Sequence, residues 1–240
     1  MRKRLRERIA WAHPEWWSIA LSVAAWASLA ASAGVFAFGS HDVTTHATAS
    51  FTAYARGWLL MVVAMMFPLS VGAIQATAAR SLWRRRHRAI AWWLLGYLAP
   101  WSLLGFSLWL LAATLLTRSQ PAPGIVIALA FAAAAFWHTT SARARAVSGC
   151  HRTQPLAPTG WRANYDCARY GWATGSNCVV ACGALMVACS LLGHGLGGLL
   201  AMISVTAISL AERYMVRPHR RLLAAAVGVH ALVIAAIVPS

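Results

Sequence analysis

The chain has 240 residues, 60% hydrophobic and 11% charged, against roughly half and a quarter in soluble domains. Lys and Arg number 21 and Asp and Glu 5, a formal net charge of +16. This composition excludes an ordinary soluble domain, and because the arginines sit between apolar runs with no recognition motif, they read as topology signals and lipid headgroup contacts, not as a nucleic-acid surface.

A basic start, Arg2 to Arg8, precedes a first apolar run from about Trp16 to Phe38. Signal-peptide apolar cores span about 7–15 residues, so this longer run is read as a retained helix. A polar loop from Gly39 to Ala53 follows, with His41 and His46 as solvated residues. The second helix runs from about Ala55 to Ala78 and holds Met61, Met65 and Met66, with Pro68 expected to kink it. A basic loop, Arg80 to Arg88, leads to a tryptophan-rich third helix from about Ala89 to Leu116. Helix four is expected from about Gly124 to Ser141 and ends near His138. Residues Ala142 to Ala173 read as a long loop that places Cys150 and Cys167 in solvent. Helix five spans about Thr174 to Leu192, helix six about Gly198 to Glu212, and helix seven about Leu222 to Val238. The expected fold is therefore all-α: a single polytopic transmembrane bundle of about seven helices, residues 1–240, embedded in a lipid bilayer.

Charge orients this bundle. With the N-terminus cytoplasmic, only Arg56 and Arg118 of the 21 basic residues fall outside, leaving 19 inside, the bias of cytoplasmic loops. The C-terminus then lies outside, and the location is a bacterial-type inner membrane.

The stretch Asn177 to Ser190 is apolar yet rich in sulfur. Cys178, Cys182 and Met186 are spaced by four, and Cys189 follows after three. In a helix these side chains fall within an arc of roughly 80°. Soft thiolate and thioether ligands select Cu(I), and thiolates also take zinc. The methionines of helix two lie at a matching depth, so Met61 or Met65 is expected to face Cys182 or Met186. Packing explains the same residues in another way. Small residues let membrane helices approach closely, and buried Cys behaves as a small hydrophobe. Five cysteines without secretory spacing read as free thiols.

Trp58 to Pro68 carries the pattern W-x-x-M-x-x-A-M-M-x-P. It resembles the signature of a bacterial family of predicted metal-binding integral membrane proteins, domain of unknown function 2182. Further on, Gly175, Cys178, Cys182, Leu185 and Met186 match a second motif of that family, while Thr174, Ala181 and Gly183 depart from it. Arg143 takes the place of the family's lysine. Cys150 matches the second cysteine of a pair whose first is replaced by Ala146, and Glu212-Arg213 is similar to its Glu-Lys. The resemblance implies a soft-metal site on Cys178, Cys182, Met186, Met61, Met65 and Met66, with Cys150, Cys189, His138 and Glu212 as weaker candidates.

No nucleophile motif, phosphate-binding glycine loop or metalloprotease His pair is present. His138 and Glu212 lie at expected helix ends, where reaching out to water accounts for them, and Glu212 with Arg213 reads as a boundary charge cluster. Two functions follow: copper handling or delivery, with zinc as the alternative ion and a metal-acceptor protein as partner; or a structural subunit of a larger membrane complex whose sulfur stripe is packing.

Overall fold

The computed structural model describes residues 13–36, 51–115, 123–192 and 195–214. Among these, seven α-helices and no strand are present. They are α1 (Trp16–Phe36), α2 (Phe51–Ala79), α3 (Arg86–Leu115), α4 (Pro123–Thr139), α5 (Ser141–Cys150), α6 (Gly160–Leu191) and α7 (Leu196–Tyr214). A short 3-10 turn, Trp83–Arg85, precedes α3. The expected helix at 222–238 and the histidines at 41 and 46 lie outside the described residues. Four helices, α2, α3, α6 and α7, are long and apolar enough to cross a membrane; α4 and α5, which meet at 75°, count as a fifth span if taken together.

In a bilayer such segments would find no solvent for the backbone to bond, and a helix is the form in which each satisfies itself. Hydroxyls inside these helices do the same, bonding a carbonyl one turn back. Ser70 donates to the Phe67 carbonyl at 2.8 Å and Thr174 to that of Tyr170 at 3.0 Å. Pro68 lacks the N–H that would bond the Ala64 carbonyl. Ser22 of α1 fills that vacancy from across the interface, its hydroxyl donating to Ala64 at 2.8 Å. A second tie holds the same two helices where Gln75 donates to the Glu15 carboxylate at 2.9 Å.

The sequence departs from the fold mainly at 142–173. The expected loop is helical at both ends: α5 occupies its start, and α6 begins at Gly160, well before Thr174. Its polar residues hide the helix from a hydropathy reading. Thr140 caps α5 by accepting the Arg143 N–H at 3.3 Å. The remaining connection is fastened to the basic segment: Arg80 donates to Gln154 O at 3.1 Å, and Arg85 to Pro158 O at 3.2 Å and Asn164 Oδ1 at 2.8 Å.

α6 is the central helix, packed chiefly on α3 and also on α5 and α4. Its crossing with α3 is made backbone to backbone through glycines. A Cβ on Gly171 would run into the Trp93 carbonyl, one on Gly175 into the Tyr97 carbonyl, and one on Gly96 into Ala168. Small residues at such crossings allow this approach. Trp93 and Tyr97 stack beside it, centroids 5.0 Å apart. On the other side of α3, Trp58 donates to the Trp101 carbonyl at 2.9 Å and lies over Gly105.

Gly171→Ala is expected to destabilise the bundle by about 1–3 kcal/mol, because the obstacle is backbone and cannot swing away. Gly72→Ala, where no atom lies within 4 Å of the added Cβ, should be neutral or gain up to about 1 kcal/mol of helix propensity. Unfolding of both variants in mild detergent checks the contrast; equal behaviour would remove the crossing from the account.

Candidate metal centre

The sulfur stripe faces the interior along the whole of α6. Cys178, Cys182, Met186 and Cys189 are all buried, as are Met61, Met65 and Met66 on α2. Burial alone does not bring them together. The sulfur–sulfur contact between the two helices is Cys178 Sγ to Met66 Sδ, at 3.8 Å. This is the methionine the spacing leaves aside in favour of Met61 and Met65.

Cys178 and Cys182 line a cavity of about 20 Å³. A single water-sized guest takes at least on the order of 10–15 Å³, so the space suits one small particle. Cys150 of α5 completes the sulfur wall. It is 5% exposed, and Cys167 1%, which corrects the placing of both in a solvated loop: α5 turns Cys150 inward, and Cys167 rides on the early turns of α6. Met61, Met65, Met66, Met186 and Cys189 lie in the core but do not border this cavity; Met66 reaches it only through Cys178. Tyr97 of α3 donates its hydroxyl to Cys178 Sγ at 3.1 Å.

Leu69, Val147, Ala181 and Ser209 share the rest of the wall with three charged groups: Arg143 from α5, and Glu212 and Arg213 from the last turn of α7. Arg143 Nη1 donates to Glu212 Oε1 at 2.6 Å, and Nη2 meets Oε2, a bidentate pair. The two side chains are 3% and 9% exposed. Glu212 therefore does not reach out to water or serve as a boundary charge; α5 bends under α7 and pairs it. The bend also aims two donors at consecutive carbonyls of α6: Trp137 Nε1 to Val180 at 2.7 Å, and Arg143 Nε to Ala181 at 3.1 Å.

Arg213 donates through Nη1 to the Leu69 carbonyl and faces Cys178, Cys150, Tyr97 and Cys182. Arg143 and Glu212 cancel, so with neutral thiols the cavity lining carries one net positive charge, that of Arg213. His138 is also buried, at 3% exposure, facing Arg143 and Glu212. Neither ring nitrogen has a hydrogen-bond partner among the described residues. It does not snorkel, because α4 ends against the bundle and not at its surface. Next to the site, burial and then the Arg213 cation hold the His151 imidazole below its usual range.

Among the described residues, no three His, Cys, Asp or Glu side chains stand as a ready-made metal cage. The donor chemistry nevertheless fits a soft monovalent ion: thiols and a thioether in an apolar setting. Sequence reasoning missed Tyr97, which no motif marks, and gave Arg143 and Arg213 no place at the site. Their signal was the family-like Arg143 and Glu212-Arg213 positions.

Comparison with known proteins returns one family. A family model described as "PpoB2: Copper chaperone" matches residues 55–238. No curated protein and no solved structure matches.

Removing one member of the buried ion pair, as in Arg143→Met or Glu212→Leu, should cost about 3–5 kcal/mol through the charge left behind. The double variant should recover most of that loss. Unfolding curves in detergent test it, and additive losses would mean that the two residues act separately.

Proposed function

The chain belongs to the PpoB2 copper-chaperone family, and from that premise we propose that it is a membrane-embedded carrier holding Cu(I) at Cys150, Cys178 and Cys182, with Met66 alongside. Copper is its cargo, passed on to a copper-acceptor protein. The family match supports copper and lends no support to zinc.

The observation that carries the proposal is the charge of the cavity. Cu(I) held by two thiolates, with the third cysteine kept as a neutral thiol, is a complex of charge −1. In an apolar interior such a charge is very costly alone. Arg213 supplies the matching +1 beside the sulfurs, while the Arg143–Glu212 pair stays neutral. The loaded site is then neutral overall. A divalent ion on the same two thiolates would form a neutral complex and leave the charge of Arg213 uncompensated. Cys178 is the central ligand, since it contacts Met66 and Tyr97 and lies beside both Cys150 and Cys182.

Copper entering the site displaces thiol protons, so binding tightens as pH rises and weakens as pH falls. Cu(I) titration against a competing chelator should show Cys178→Ser losing most affinity, more than tenfold. Cys182→Ser and Cys150→Ser should lose less, and Cys167→Ser and Cys189→Ser nothing measurable. Equal affinity across all five variants would leave the sulfur stripe as packing and favour a structural subunit of a larger membrane complex.

For orientation we propose a cytoplasmic N-terminus and cytoplasmic 151–159 connection, with the C-terminus outside; the support is the nineteen-to-two bias of basic residues. A cysteine introduced as Arg152→Cys should resist a membrane-impermeant maleimide in intact cells. It should react once the inner membrane is opened. Labelling from the periplasm would reverse the assignment.

A further inference from the structure

A second cleft, of about 220 Å³, lies against the copper cavity. The two share Leu69, Cys150 and Arg213 as a common wall. The two spaces adjoin, and the sulfur that faces both is Cys150. Among the described residues the outer cleft's other polar lining is Ser70, His151, Thr153, Tyr170, Thr174 and Tyr214, without a carboxylate. The permanent charge on its wall is therefore positive.

A bare copper cation would be repelled by Arg213 on this path. A copper thiolate complex would not, because two thiolates make it an anion, and carboxylates on the carrier add to that charge. We propose that this cleft receives Cu(I) as the complex of a small anionic thiol, a cysteinyl peptide of the glutathione class, and that Cys150 is the first protein ligand. The proposal rests on the copper-carrier reading above. On the proposed orientation the cleft opens to the cytoplasm, where such thiols form the reducing pool.

The transfer is a ligand exchange. One of the carrier's two S–Cu bonds breaks as the Cys150 Sγ–Cu bond forms. The Cys150 proton passes to the departing thiolate, which leaves as the free thiol. Copper stays Cu(I), and no electron moves. Arg213 holds the carrier's carboxylates while the exchange takes place. A second exchange breaks the other carrier S–Cu bond as Cys178 Sγ binds and gives its proton to that thiolate, so copper ends on Cys150 and Cys178.

The test compares two copper donors on full-length protein in nanodiscs: Cu(I)–glutathione and acetonitrile-solvated Cu(I). Thr153 lines the outer cleft but not the inner cavity, and its side chain is exposed. Thr153→Asp should slow loading from Cu(I)–glutathione at least fivefold and leave loading from acetonitrile and final copper affinity unchanged. Thr153→Lys should preserve or raise the glutathione rate. S-methylglutathione, with the same carboxylates but no free thiol, should compete in the unsubstituted protein. Three results would overturn the cleft: Thr153→Asp changing neither rate, its slowing both donors equally, or the unsubstituted protein taking copper from acetonitrile but not from glutathione. Failure to bind copper from either donor would instead remove the copper-carrier reading itself.

Discussion

Fixed charge inside an apolar bundle is the constraint on which the rest of this structure depends. Arg143, Glu212 and Arg213 are drawn together from two helices around a cavity scarcely larger than an ion. Each would be prohibitively placed alone. Arg143 and Glu212 solve the problem for one another. Arg213 is left facing sulfur, bonded to a backbone carbonyl. An interior cation held beside three thiols is a counter-charge for any thiolate formed among them, and on the copper-carrier reading a soft ion bridging two thiolates would complete the balance. The arginines therefore belong to the chemistry of the sulfur site.

The helix packing serves this arrangement. α6 approaches α3 so closely at Gly171 and Gly175 that backbone meets backbone, which brings the Tyr97 hydroxyl within reach of Cys178. The corner between α4 and α5 sends Trp137 and Arg143 to neighbouring carbonyls of α6. Because the corner is bonded at both flanks, Arg143 enters the cavity at a fixed height, level with Ala181 and Cys182.

Much of the fold was legible in the sequence because apolar runs have a length and a period. α1, α2, α3, α4 and α7 fall close to their expected limits, while 222–238 lies outside the described residues. Legibility failed at 142–173, where helical segments carry Arg, Ser and Asn and so have no apolar period to read. The candidate site followed the same rule. Cys178 and Cys182 were marked by their spacing on one helix. Cys150, Tyr97 and Arg213 come from three other elements, and only tertiary packing sets them beside Cys178. Choosing among Met61, Met65 and Met66 turns on how α2 is rotated about its axis. That rotation is set by ties such as that of Trp58 to the Trp101 carbonyl of α3 and that of Ser22 of α1 to the Ala64 carbonyl, not by the local pattern. The resemblance to a predicted metal-binding family and the match to a copper-chaperone family point the same way, although the family motif alone did not reveal the charge balance.

The bond from Ser22 to the Ala64 carbonyl has a bearing on where this protein can be said to start. The family match begins at residue 55, so α1 lies before it. Yet the family-like Pro68 exposes a carbonyl two residues from Met66, and a hydroxyl on α1 covers it. α1 also packs on α7, which carries Arg213. A chain trimmed to its recognisable portion would bring the proline and its debt of one hydrogen bond without the creditor, at the depth where the ligands sit. The unit that selection can recognise by sequence is thus smaller than the unit that can stand in an apolar medium, and the difference is one helix with little sequence signature beyond a serine.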